Sequence, residues 1–386
     1  MTASNHSNRT RSGKSATRTI AGFSMVELLV AMAIGLILIS GMISVFGGNR
    51  RSSELNQAMS NMQESARFAI DAISRDARMA GFQGCLDLNT ASATPLGNGA
   101  PTTDLFDTAT TGSVVTSATN WIPAPHSSFT MPTGNLAPIP GTHTLTMQYG
   151  SAERAPLTAG MTSPADNITI SAADEARWGL TGNELMIISN CDFADLFRIS
   201  AIATSGTDKI ISHDATANSL NGVGIGNLTA DYGNEAIGTA ELMLFSSNIY
   251  FIGNTGITND NGDPIRALYR QSLPYTNPPL ELIQGVENLR IRFGVRQANG
   301  QVRYYLPNAP GFQPGEVESV QIGLLMSSWE HAASDIDQAT YVLAGQPIPP
   351  NTDIAAARAS ALTHAADNRL RLAFNTTINI RNRRNQ

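Results

Sequence analysis

The chain of 386 residues is 42% hydrophobic and 15% charged, with 33 glycines and 19 prolines. That composition excludes a disordered or fibrous chain and suits one or two globular units rich in strands and turns. The net charge is −6, and residues 1–22 hold Arg9, Arg11, Lys14 and Arg18 but no acid, so the remainder is more acidic than the whole. Such a body opposes DNA binding by this chain alone, because phosphates are neutralised by a basic surface.

The first element follows the basic head. Leu28 to Phe46 is a run of 19 residues without a charge, which as a helix spans roughly 28 Å, close to a hydrocarbon core. The positive-inside rule keeps the basic head cytoplasmic and exports the long remainder. A cleaved secretory signal has a shorter apolar core, about 7–15 residues, ending in a small-x-small site. A plain signal anchor explains the length and the flanking charge but leaves Glu27 unexplained, since a carboxylate at the edge of an apolar helix is costly without a partner.

The stretch "GFSMVELLVAMAIG" resembles the class III signal of type IV prepilins. It has a basic leader ending in Gly22, an aromatic Phe23 as the new N-terminus and Glu27 as the fifth residue of the mature chain. The resemblance implies cleavage after Gly22 by a prepilin peptidase, N-methylation of Phe23, and pairing of Glu27 with the terminal amine of a neighbouring subunit in a filament. Such pairing is physically reasonable, because a paired charge is tolerated where a lone one is not. Leu28, Met32, Leu36 and Ile39 would form a continuing apolar face for helix packing.

Beyond the membrane segment, Leu55, Met59, Met62, Ala66, Ala69 or Ile70, Ile73, Ala77 and Ala80 recur at steps of three and four, which predicts one helix from about Phe23 to Ala80 whose second half packs on a sheet. Gly47-Gly48 is its weakest point and a candidate hinge. Residues 89–142, rich in Thr, Ser, Gly, Asn and Pro, read as a long loop region with little core. Alternating patterns then predict strands at "HTLTMQYG", "ITIS", "ELMIISNC", "ELMLFSSNIYFIG", "IRALYR", "NLRIRFGV", "QVRYYL", "VESVQIGLLMSS" and "LRLAFNTTINIRN". Asn261-Gly262 and Asn299-Gly300 are hairpin turns between four of them. An insertion at 329–368 carries an Ala-rich helix near Ile354 to Leu362.

The fold class is therefore α+β, type IV pilin-like, with a long N-terminal helix on antiparallel sheet. Its divisions are a leader, 1–22; a transmembrane and filament-core helix, 23–46; an amphipathic half, 47–80; and a periplasmic β-rich domain, 81–386. The landmarks "ARMAGFQGC", "NELMIISNCDFADLFRI", "LIQGVENLRIRFGV" and "FNTTINIRNR" are similar to those of the PilW-like minor pilins. That resemblance implies a non-enzymatic subunit of the inner membrane and then of the type IV pilus, in a priming complex at the tip. Its partners would be other minor pilins, the major pilin, prepilin peptidase and a tip adhesin, and the machine as a whole would serve twitching, adhesion or DNA uptake. Two alternatives are a minor pseudopilin of a type II secretion system and a membrane-anchored binding module that never assembles.

Few residues carry other chemistry. Cys85 and Cys191 lie in the exported part, where oxidising conditions favour a disulfide. The six histidines are scattered without ligand spacing, so neither a metal nor a cofactor is expected. "NDNGDP", Asn259 to Pro264, is read as a turn and not a calcium loop, since it lacks the distal Glu. Arg369, Arg371, Arg381, Arg383 and Arg384 are the one basic concentration of the exported part; they are read as a charged strand edge, with a patch for an acidic partner as the sharper reading.

Overall fold

The computed structural model describes residues 22–234 and 239–383. The chain divides into two units at Glu54/Leu55. Helix α1, Met25–Met79, has no break at Gly47-Gly48; the expected weak point stays helical. In the first unit almost every side chain is exposed, and the most apolar stretch of the helix has none of its residues buried.

In the second unit α1 buries Met62, Ala66, Ala69, Ile73 and Ala77, which is the predicted stripe from its third member onward; Leu55 is only half-buried and Met59 is exposed. The stripe packs on strands β1 (His143–Ala159), β2 (Glu241–Thr258), β3 (Pro264–Ser272), β4 (Val286–Arg296), β5 (Val317–His331) and β6 (Arg369–Asn379). Small alanines on the helix let its backbone approach Leu145, Tyr250, Leu289 and Phe293, all fully buried. Strand β2 is central in a twelve-stranded sheet and pairs antiparallel with β1 on one side. On its other side it pairs with β3 and, at Glu241–Leu244, with strand Leu185–Ser189. Strands β4, β5 and β6, with Val302–Tyr305 at the edge, form a second, four-stranded antiparallel sheet.

Both predicted hairpin turns are present: Gly262 and Gly300 have φ of +77° and +80°, a conformation that glycine adopts without steric cost. The Ala-rich helix is shorter than expected, Ile354–Ala359, and is capped by Asp353.

Residues 89–142 depart from the sequence reading. Thr110–Ser117 is a strand paired with β1, and Leu105, Val115, Trp121, Phe129 and Ile139 are buried. The signal was weak because this strand buries Thr110 and Gly112 on one face and Ser113 on the other, so it lacks the apolar alternation by which strands are recognised. A separate core around Ile168, Ile188, Phe197, Ile211 and Tyr232 is built mainly by the stretch of chain that connects β1 to β2.

Candidate functional site: the helix head and what fastens the helix

The N-terminal end of α1 presents Phe23, 84% exposed, and the apolar residues that follow it. The Glu27 carboxylate accepts the Ser24 amide at 3.3 Å, and the Ser24 hydroxyl accepts the Val26 amide at 3.3 Å. This is close to the reciprocal pattern of a Ser-x-x-Glu capping box, and an acid in the first turn also complements the helix dipole. Glu27 thus has a partner within its own chain that the sequence reading missed, although Ser24-x-x-Glu27 was its visible signature.

At the other end a second acid on the helix fastens it to the sheet. Asp76 is buried and accepts hydrogen bonds from Tyr250 (2.6 Å), Tyr149 (2.7 Å) and the Asn248 amide (2.7 Å). These donors come from β1 and β2, whose register sets Asn248 opposite Met147 and so places Asn248, Tyr250 and Tyr149 on one face. Burial, and then the neighbouring Asp76 charge, push both tyrosine hydroxyls far above their usual range, so they stay protonated donors. Asp76 went unnoticed in the sequence; its spacing from Ile73 and Ala80 puts it on the apolar stripe.

The two cysteines are joined. Cys85 and Cys191 form a disulfide across 106 positions, with Cα atoms 4.8 Å apart, which ties the segment after α1 to the strand pair Leu185–Ser189 and Ala194–Arg198.

The C-terminal arginines do not form one surface patch. Arg369 and Arg371 are buried. Arg371 grips Glu287 with two hydrogen bonds, 2.7 and 3.1 Å, and reaches Asp367 at 2.8 Å and Asp337 at 3.3 Å. Arg369 bridges Glu287 and Asp367, both at 2.9 Å. Although burial opposes the charge, this set of arginines holds the Glu287 carboxyl far below the usual range, and the carboxylates raise Arg371. Alternation along β6 puts the two arginines on one buried face, opposite Leu370, Leu372 and Phe374, where they secure the insertion through Asp337 and Asp367. Arg383 pairs with Glu318 at 2.6 Å, Arg381 is exposed, and Arg384 lies outside the described residues.

Among the described residues one group, Asp263, His331 and Asp367, brings ligand-type atoms within 4.8 Å of one another. Arg358 already pairs with Asp263, and Arg369 and Arg371 with Asp367. These guanidinium groups supply the positive charge that a divalent ion would otherwise bring.

Residues 17–43 match the family model of the prokaryotic N-terminal methylation motif, and residues 249–382 match that of type IV pilus-assembly protein W. Together the two matches support a PilW-like minor pilin of the type IV pilus. No curated protein and no solved structure matches it. The second match runs from within β2 to Asn382, and so takes in β3 to β6 together with the buried arginines of the pilin. The apolar half of α1 anchors the pilin in the inner membrane, its C-terminal domain is periplasmic, and it is incorporated in the pilus.

Proposed function

We propose that this pilin is cleaved between Gly22 and Phe23, methylated at Phe23 and built into the pilus by its helix, acting without catalysis in assembly and priming at the filament tip beside other minor pilins and the major pilin. The observation that carries this reading is the contrast along α1. From Met62 its apolar stripe is covered by the protein's own sheet, with Phe68 left exposed on another face, whereas from Leu28 to Phe46 the apolar residues are exposed all round. Lipid or neighbouring pilin helices must cover that length, because apolar surface of this extent is not left in water. Glu27 sits at the head of the exposed length, where among the described residues its carboxylate has one donor, the Ser24 backbone amide. A methylated amine on a neighbour would give the carboxylate a full counter-charge, so docking is favoured over remaining alone in lipid.

The test is N-terminal and intact mass spectrometry of the protein from native membranes and from sheared pili. A chain that begins at methylated Phe23 and is present in sheared pili is expected. A chain that keeps residues 1–22 and is found only in membranes would overturn the reading.

A further inference from the structure

The outer face of the sheet, opposite α1, carries a chamber. Alternation along β1 sends Leu145 and Met147 to the core under the helix and Thr144, Thr146 and Gln148 to the other side. Strand Thr110–Ser117 adds Thr111 opposite Thr146 and Ser113 opposite Thr144, which makes a cross-strand group of four hydroxyl-bearing residues. The segment after that strand folds back over this floor with Trp121 and Phe129, and Tyr275 closes one side. The rings hold one another, at 5.1 Å between Trp121 and Phe129 and 5.2 Å between Phe129 and Tyr275. Between lid and floor lies a cavity of about 240 Å³.

Three features define what would fit. No Asp, Glu, Lys or Arg lines the cavity, and its one histidine, His126, is shifted by partial burial toward the neutral form, so a charged ligand has no counter-charge there. Trp121, Phe129 and Tyr275 supply aromatic carbon and Thr111, Ser113, Thr144 and Thr146 supply hydroxyls, so the lining suits a ligand that is apolar on its C–H faces and hydroxylated at its rim. The volume is below the range of about 300–1,000 Å³ for drug-sized ligands, so the cavity holds one ring.

We propose that this cavity binds a single uncharged sugar ring, with its hydroxyls on Thr111, Ser113 and Thr146 and its C–H face against the aromatic lid. Trp121, Phe129 and the four floor residues all lie outside the region matched by the pilus-assembly family, residues 249–382. The site therefore adds recognition to an assembly subunit, and it stands apart from the reading of the helix head, since binding is measured on protein that need not enter a filament.

The test uses the full chain in a detergent without a sugar headgroup. Glucose, galactose, mannose and N-acetylglucosamine are titrated to about 20 mM, above the millimolar Kd expected of one ring. Saturation-transfer NMR reads the ligand and tryptophan emission reads the protein. At least one of these sugars is expected to bind saturably, with Trp121→Phe weakening it several-fold, as loss of part of the aromatic lid predicts. Thr146→Val should weaken binding several-fold, and Trp329→Phe, at an exposed ring, should leave it unchanged. Thr146→Val carries the test if Trp121→Phe fails to fold. Absence of saturable binding by all four sugars, binding indifferent to the cavity substitutions, or equal binding of glucuronate would overturn the proposal.

Discussion

Gly81 and Asn382 meet backbone to backbone: a Cβ on Gly81, whose φ is +77°, would lie 2.5 Å from the Asn382 carbonyl oxygen. The Asn382 side-chain amide in turn lies 3.3 Å from the carbonyl oxygens of Arg78, Met79 and Ala80, the last of α1. The C-terminal segment thus satisfies acceptors that every helix end leaves open. Asn382→Ala is expected to cost about 0.5–1.5 kcal/mol. Gly81→Ala should cost more, about 2 kcal/mol or more, because it adds left-handed strain to a clash with backbone. Thermal unfolding of the two variants checks the order.

Asp76 makes the second lock. Asp76→Ala strands two buried tyrosine hydroxyls and an asparagine amide, and should destabilise the periplasmic domain by about 3 kcal/mol or more, a fall in Tm on the order of 5–10 °C. Asp76→Asn keeps an acceptor oxygen and should cost roughly half as much. Equal, small effects of the two substitutions would show that the carboxylate does not hold the helix.

The disulfide closes a loop across 106 positions, for which chain entropy gives roughly 5 kcal/mol of stabilisation. The double variant Cys85→Ser/Cys191→Ser should unfold at lower denaturant concentration by that amount. Treatment of the native protein with reductant should reproduce the shift and leave the variant unaffected.

Stability should fall in acid, in two windows. His143 is buried between β1 and β4; the Arg290 guanidinium lies 3.2 Å from its Nε2, and its Nδ1 lies 3.1 Å from the Ile291 amide and 3.2 Å from the Ile291 carbonyl oxygen. Burial, and then the Arg290 charge, bring its pKa down from 6.5 to about 3. Below pH 6.5 the unfolded chain takes up a proton that the folded chain refuses, so stability is lost as pH falls toward 3, by up to roughly 5 kcal/mol. Glu287, depressed in the fold, adds a second loss below the ordinary carboxylate range. His143→Gln should flatten the upper window and leave the lower one, as read by Tm against pH.

The sequence carried the long helix, the nine strands named from His143 onward, both Asn-Gly turns and the disulfide, because each depends on local pattern or compartment; it did not carry Ala194–Arg198, Ala201–Ser205, Asp208–Ser212 or Leu280–Gln284. What it concealed depended on long-range pairing. Asp76 looks like an ordinary polar residue until Tyr149 and Tyr250, far along the chain, close on it. Arg369 and Arg371 look like surface charge until Glu287 is brought beneath them by sheet order β4, β5, β6. Strand Thr110–Ser117 is spelled in hydroxyl residues, so its membership shows only when β1 lies beside it.

Glu27 has two physical roles to separate, a cap for its own helix and a counter-charge for a neighbour. Gln serves at the third position of a capping box as well as Glu does, whereas Ala does not. Glu27→Gln therefore preserves the cap and removes the charge. If assembly rests on charge pairing, both Glu27→Gln and Glu27→Ala should be inserted and cleaved but nearly absent from sheared pili. The reason is that an amine left unpaired in an apolar interface costs about 3–5 kcal/mol per contact. If the cap is what matters, Glu27→Gln should enter pili at the normal level and only Glu27→Ala should fail. Immunoblots of sheared pili and membranes, normalised to processed protein, distinguish the two, and normal incorporation of Glu27→Gln would remove the charge-pairing account.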